Sequence, residues 1–372
     1  MSHPNTKRLG GRLKVAVLMG GTSTEREVSL VSGKMVAAAL DPTFYDVMAL
    51  DTRDLLRLTS GETAALPAAG ETQHETGGAL QSAGDAAGLC QEPGESRTTM
   101  VRPDVVFIAL HGKGGEDGTV QGMLEVMGLP YTGSGVLASA LAMDKVMSKR
   151  VFKAAGVPVI DGIYVTRHAL AGCGEEEFRH ASLVDVETHL GFPVFVKPNA
   201  GGSTCGCTLV AGPDQLFAAV QLALTLDETA LIEKYIRGME ITVGVIDFAG
   251  EPAEALPVIE IVPKGEYYDY ESKYASGGSE HIIPARIPDE IARKAQEIAC
   301  RCHALLGCRG VSRTDFILSD GLLYVLEVNT IPGMTPTSLL PQAAEHAGIS
   351  FAQLLDRLIR SALDHKQGAL HD

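Results

Sequence analysis

Between Leu13 and Met19 the chain reads "LKVAVLM" and ends in Gly20 and Gly21, a near-continuous apolar run closed by a turn. That pattern predicts a buried parallel strand, because a strand covered on both faces does not alternate. "EREVSLVSGKMVAAAL" follows with helical period, and "FYDVMALD" is a second strand. Residues 59–100 are rich in Ala, Gly, Glu, Ser and Thr and poor in large apolar side chains, which predicts a flexible insertion with little core to contribute. Order returns with the strand "DVVFIAL", the glycine-rich loop "HGKGGEDG", and a short helix and turn in "GMLEVMGLPYTGSG". The succession is that of an open α/β unit with loops at the carboxyl ends of its strands. One long helix is predicted over "VLASALAMDKVMSKRVFKAAG", closed by Gly156 and Pro158.

Beyond it, "GFPVFVKPNAGGSTCGCTLV" reads as strand, glycine-rich loop, strand, and "ALIEKYIRGMEITVGVID" as a further strand pair. The polar, tyrosine-rich "GEYYDYESKYASGGSE" is a loop of a length that usually serves function. "IPDEIARKAQEIACRCHALLG" is a helix, and "GVSRTDFILSDGLLYVLEVNT" is a hairpin turning at Ser319-Asp320-Gly321. "FAQLLDRLIRSALDH" is an amphipathic helix near the end.

Length changes this picture only by adding domains: 372 residues exceed one ordinary core, so two or three are expected. A formal charge of -15 argues against nucleic acid and acidic membranes as main partners. With no Trp and 5% aromatic residues, stacking platforms for single strands are not expected either. The basic N-terminus continues into a strand pattern rather than a signal peptide. No run reaches the roughly 18 apolar residues of a membrane span, so a cytoplasmic protein is expected. Cys300, Cys302 and Cys308 cluster, but their spacing does not match usual zinc sites, and buried reduced thiols are the preferred reading.

Four stretches carry candidate chemistry. Arg313 and Asp315 share a face of the first hairpin strand, and Glu327 and Asn329 share one on the second. Asp, Glu and Asn oxygens suit Mg²⁺, which takes few protein ligands and completes its octahedron with phosphates and waters. The other reading is a polar outer face with Arg313 paired to Asp315 or Glu327. In "VKPNAGGSTCG", Lys197 ends a strand, and Gly201, Gly202 and Gly206 free the backbone to face an anion, beside Ser203 and Thr204. Neither a Walker loop nor a dinucleotide fingerprint is present. "IEKYIRGME" offers Glu233, Tyr235 and Ile236 to an adenine edge and Glu240 to ribose hydroxyls; alone it is an ordinary charged strand. In "GGTSTEREVS", Glu25 and Glu27 fall in a first helical turn, where acids are favoured and where one could instead receive an ammonium group.

The order of these parts is that of an ATP-grasp enzyme. "GGTSTEREVSLVSG", "ALHGKGGEDGTVQGMLEVMGLPYTGSGVLASALAMDK", "FVKPNAGGSTCG", "EYYDYESKY", "RTDF" and "LEVNTIPGMTPTSLLPQAAEHAGIS" together closely resemble the D-alanine–D-alanine ligase family. The resemblance spans the chain except near 59–100 and around 168–185. It implies an α+β, α/β ATP-grasp fold with three domains, 1–134, 135–232 and 233–372, whose sheets clasp ATP. It also implies two D-alanines as substrates, two Mg²⁺ or Mn²⁺ ions and a homodimer.

By the same resemblance Lys145 and Lys197 contact phosphates, Glu233, Tyr235, Ile236 and Glu240 hold the nucleoside, and Asp315, Glu327 and Asn329 bind metal. Glu25 anchors the first D-alanine's ammonium, with Ser203 and Tyr274 in a hydrogen-bonded set around it and His111 nearby. Arg313 and the Gly333 amide stabilise the oxyanion. Lys273, Ser338 and Leu339 serve the second substrate and the loop, and residues 263–279 form a lid. One departure is local: the glycine hairpin reads "GSTCG" where many relatives have G-S-S-V-G, so Cys205 replaces an aliphatic side chain while Ser203 is kept. A ligase taking D-lactate as second substrate is the near alternative, and a non-catalytic nucleotide-binding regulator is a remote one.

Overall fold

The computed structural model describes residues 11–52, 102–172, 174, 178, 183–202, 205–249, 251–263 and 279–368. The expected insertion at 59–100 and all but the ends of the expected lid fall outside them. β1 (Leu13–Met19), α1 (Arg26–Ala39), β2 (Tyr45–Asp51) and β3 (Val105–Ile108) build a parallel sheet of order β2-β1-β3. β1 is buried from Val15 onward, as its unbroken apolar run requires. Val15 and Val17 enter one core and Ala16 and Leu18 another, so each face of the strand is covered separately.

After α2 (Thr119–Val126), the single helix expected over 136–156 is two: α3 (Val136–Met143) and α4 (Lys145–Ala154). The break is at Asp144, which is extended and accepts the Met147 N–H on its Oδ1 at 2.8 Å, an N-cap inside the apolar period. Asn199 takes the next donor, its Oδ1 accepting the Val146 N–H at 2.8 Å. The break starts a helix at Lys145 beside the chain that follows Lys197.

β4 (Gly162–Thr166), α5 (Val184–His189), β5 (Val194–Pro198), β6 (Thr208–Val210), α6 (Pro213–Leu226) and β7 (Thr229–Lys234) come next. Their strands form an antiparallel sheet of order β4-β7-β5-β6. β8 (Met239–Asp247) starts four residues after β7 but does not pair with it, so the expected strand pair is not one. Residues 235–238 carry the chain from one sheet into another. That second sheet orders β11-β10-β8-β12-β13, with β9 (Glu254–Ala255) on β8, β10 (Ile259–Pro263) and β11 (Ser279–Ile282).

α7 (Asp289–Leu306) covers it, and β12 (Gly310–Ser319) and β13 (Leu322–Asn329) are the expected hairpin. α8 (Leu339–His346) and α9 (Phe351–Gly368) close the chain. The apolar stripe of α9 buries Leu354, Leu355, Leu358 and Ile359 in the core that also holds Val15, Val17 and Ile246. Each such side chain contributes about 1.5–3 kcal/mol, which ties the first sheet to the last. Cys302 and Cys308 are buried and free as expected, whereas Cys300 is half-buried.

Candidate active site

A cleft of about 840 Å³ opens between the four-stranded and six-stranded sheets. Its walls combine apolar groups (Ile160, Phe195, Leu226, Met239, Ile317, Leu326) with the Tyr235–Ile236 crossover, a slot of the kind that takes a flat ring. Glu240 lines the same cleft, as do Lys145, Lys197, Glu233, Asp315, Glu327 and Glu25.

Register explains the cationic wall. Phe195 on β5 lies opposite Glu233 on β7, so Lys197, two residues on, points to the same face. Lys197 Nζ sits 2.6 Å from Glu233 Oε2, with both residues buried. The other carboxylate oxygen of Glu233 takes Lys149 Nζ. The carboxylate expected to face a nucleobase is therefore engaged by two ammonium groups. Lys149 is a site residue the sequence reading missed. Its signal was present, since it follows Lys145 by one helical turn.

Lys145 Nζ is 3.0 Å from Glu327 Oε2 and donates to the Gly201 carbonyl at 2.7 Å. Burial disfavours its charge, but the Glu327 carboxylate outweighs this and holds the Lys145 pKa above the ordinary lysine value.

On the hairpin, Arg313 pairs with Asn329 and Asp315 with Glu327, so the four side chains meet on one face. Arg313 donates to Asp315 twice, Nε to Oδ1 and Nη2 to Oδ2, each at 2.9 Å. Asn329 donates to Oδ2 at 3.0 Å, and Thr242, opposite Asp315 on β8, donates to Oδ1 at 2.5 Å. The Arg313–Asp315 pairing weighed from the sequence is thus present. It does not compete with a site, because the cluster borders the cleft rather than a solvated sheet face. Asn329 also lines a small cavity beside it, with Glu116, Lys145, Gly201, Gly202 and Glu327.

Glu25 precedes α1 and is buried, but its carboxylate makes no capping bond to the helix. It lies instead between two loops. A Cβ at Gly112, whose φ is +73°, would fall 2.7 Å from one Glu25 oxygen, and one at Gly202 would fall 3.0 Å from each. Only glycine on both loops lets them close on this carboxylate. His111 is buried beside them, its Nε2 3.1 Å from Ser32 Oγ and its Nδ1 3.9 Å from Glu116 Oε1. Glu116 accepts the Gly112 N–H at 2.9 Å. Burial raises its pKa against the lowering effect of His111, with Glu25 adding to the rise. From "HGKGGEDG" the sequence reading drew His111 and missed Glu116.

Glu260 and Arg286 also line the cleft and were missed. Their two-pronged pair, with Nε to Oε2 at 2.9 Å and Nη2 to Oε1 at 2.5 Å, holds Glu260 below the usual carboxylate range.

Ser338 Oγ accepts the Thr335 N–H at 3.1 Å, and a Cβ at Gly333 would approach that same Oγ to 2.9 Å. Leu339 turns its side chain into the core. Arg313, His111, Gly333, Ser338 and Leu339 are not among the described residues that line the cleft. Ser203, Lys273 and Tyr274 lie outside the described residues.

Comparison with known proteins agrees with this arrangement along its length. The family models for the D-ala D-ala ligase N-terminus and C-terminus match residues 14–134 and 151–360. A D-alanine--D-alanine ligase of Syntrophobacter fumaroxidans is 45% identical over 95% of this chain and 98% of its own. Among solved structures, the D-alanine--D-alanine ligase of Bacillus anthracis complexed with ATP superposes with a TM-score of 0.72 at 30% identity, covering 96% of this chain and 99% of that one. VanG D-Ala:D-Ser ligase of Enterococcus faecalis gives 0.72 at 29%, covering 95% and 100%. With two family models spanning most of the chain, a relative at 45% identity, and the cleft between its two antiparallel sheets, this chain belongs to the D-alanine–D-alanine ligase family and has its ATP-grasp fold.

Proposed function

We propose that the protein joins two D-alanines into D-alanyl-D-alanine at the expense of ATP, by way of a D-alanyl phosphate, for peptidoglycan precursor synthesis. The observation that carries this reading is the hairpin face. Asp315 stands opposite Glu327, flanked by Arg313 and Asn329, at the edge of a cleft whose other wall presents Lys145 and Lys197.

A carboxylate is a poor electrophile, and phosphorylation gives it a leaving group. Lys145 and Lys197 neutralise the transferred phosphate's charge. Glu25 receives the ammonium of the first D-alanine, buried where charge pairing is strong. Arg313, held by two hydrogen bonds to Asp315, and the Gly333 amide donate to the oxyanion formed when the second amine attacks the acyl carbon.

The donor set of Asp315, Glu327 and Asn329, two carboxylates and an amide in register, fits Mg²⁺ or Mn²⁺ with phosphates and water as remaining ligands. A bound divalent ion supplies neutralisation of phosphate charge. The reading includes a homodimer, a cytoplasmic location, and three domains, 1–134, 135–232 and 233–372, with the crossover at 235–238 just past the second boundary. Among the described residues, no helix is long and apolar enough to cross a membrane.

The acceptor follows from Tyr274 in "ESKYASGG". A histidine there would be cationic at low pH and repel an incoming ammonium, whereas tyrosine, with a reference pKa near 10, stays neutral. The likeness to a ligase named for D-serine supports looking for the acceptor choice in individual residues rather than in the fold.

The testing experiment is ADP release by purified protein with Mg²⁺ and ATP. D-alanine is expected to stimulate release and L-alanine to leave it at background. An absence of D-alanine-dependent release contradicts the proposal.

A further inference from the structure

Buried in the wall of the four-stranded sheet is a carboxylate shared by two lysines. Glu233 is 2% exposed, Lys149 and Lys197 each 8%. Lys197 lines the cleft, and Lys149 is not among the described residues that do. Lys149 is thus one layer behind, reaching Glu233 from α4 while Lys197 reaches it from β5.

We propose that Lys149 is a positioning residue for the phosphate-binding wall: by occupying one oxygen of Glu233 it confines Lys197 to the other, on the cleft side. The proposal rests on the reading of ATP as substrate.

Two points of chemistry support it. A buried carboxylate with only one cation draws that cation across both oxygens. With Lys149 on Oε1, Lys197 stays on Oε2 at 2.6 Å. Glu233 left with an unfilled oxygen at 2% exposure would also carry the cost of an unsatisfied buried acceptor.

Lys149 itself is held in tension. Burial, then the neighbouring Lys197, pull its pKa well below the ordinary lysine value, with Lys145 acting the same way and Glu327 opposing. Its Nζ rests on the Glu233 carboxylate. α4 therefore sends Lys145 to Glu327 on the six-stranded sheet and Lys149 to Glu233 on the four-stranded sheet, one turn apart, spanning both walls of the cleft.

The test measures ATP binding by calorimetry, together with KM for ATP and for D-alanine, in the full chain carrying Lys149→Met or Lys149→Gln. The Gln variant keeps an N–H for Glu233 and serves if the Met variant does not fold. ATP affinity is expected to weaken roughly 10- to 100-fold, the range of one charge-assisted hydrogen bond, with the KM for D-alanine within about twofold. In a Lys197→Met background, Lys149→Met is expected to add little, because its effect passes through Lys197. ATP affinity at the wild-type level in a folded Lys149 variant overturns the proposal, as does an undiminished loss in the Lys197→Met background. Failure of the wild-type protein to bind ATP overturns the functional reading as well, which separates the two.

Discussion

Asp315→Asn combined with Glu327→Gln lowers D-alanine-dependent ADP release at least about a thousandfold, far more than it lowers the fraction of folded protein. A divalent ion at a transferring phosphoryl group supplies several kcal/mol, and each 1.4 kcal/mol is a factor of ten in rate. The amide replacements preserve shape and keep one acceptor oxygen where each carboxylate had two. That matters because Asp315 accepts from Arg313, Asn329 and Thr242 at once, and deleting it would leave donors unpaired. Loss of two negative charges also leaves Lys145 and Arg313 without their carboxylates, so a metal-independent role predicts tighter, not weaker, ATP binding. Titrating Mg²⁺ at fixed ATP distinguishes the two. The reading expects the residual activity to need far more Mg²⁺. Turnover within tenfold of the parent removes the metal assignment.

Arg313→Met is expected to reduce kcat by about 10²–10³, the cost of one preorganised oxyanion donor, with a smaller change in KM for ATP. Arg313→Lys is not expected to restore it, because the paired Nε and Nη2 bonds to Asp315 need a planar fork. Steady-state kinetics with both substrates varied checks this. A loss confined to KM for ATP would place Arg313 on the nucleotide instead.

The hairpin that carries both predictions was legible in the sequence. Alternation on either side of Ser319-Asp320-Gly321 put Arg313 with Asp315 and Glu327 with Asn329 on matching faces, and the observed register brings the pairs together. The β1 run and the amphipathic α9 were legible for the same reason: each period reports which face is covered. What period does not report is which sheet a strand joins. β7 and β8 are separated by four residues and were read as a pair, yet pair with different strands, because residues 235–238 cross the cleft.

The break at Asp144 was hidden inside an uninterrupted helical period. It depends on Asn199, more than fifty positions away, and on an Asp side chain free to cap. Strand β4, helix α6, strands β9 to β11 and helix α8 were not read from the sequence. Thr242 on Asp315 and Lys149 on Glu233 are contacts between distant segments, 73 and 84 positions apart, which no local spacing announces.

The central claim is peptide formation between two D-alanines, and product analysis tests it most directly. The protein is given ATP, Mg²⁺, and D-alanine and D-lactate at equal concentration between roughly pH 6 and 8, the range in which a histidine near its reference pKa would titrate. D-alanyl-D-alanine is expected to dominate throughout, with little depsipeptide even at pH 6. Dominant D-alanyl-D-lactate at pH 6, or ADP formed without any ligated product, would contradict the account.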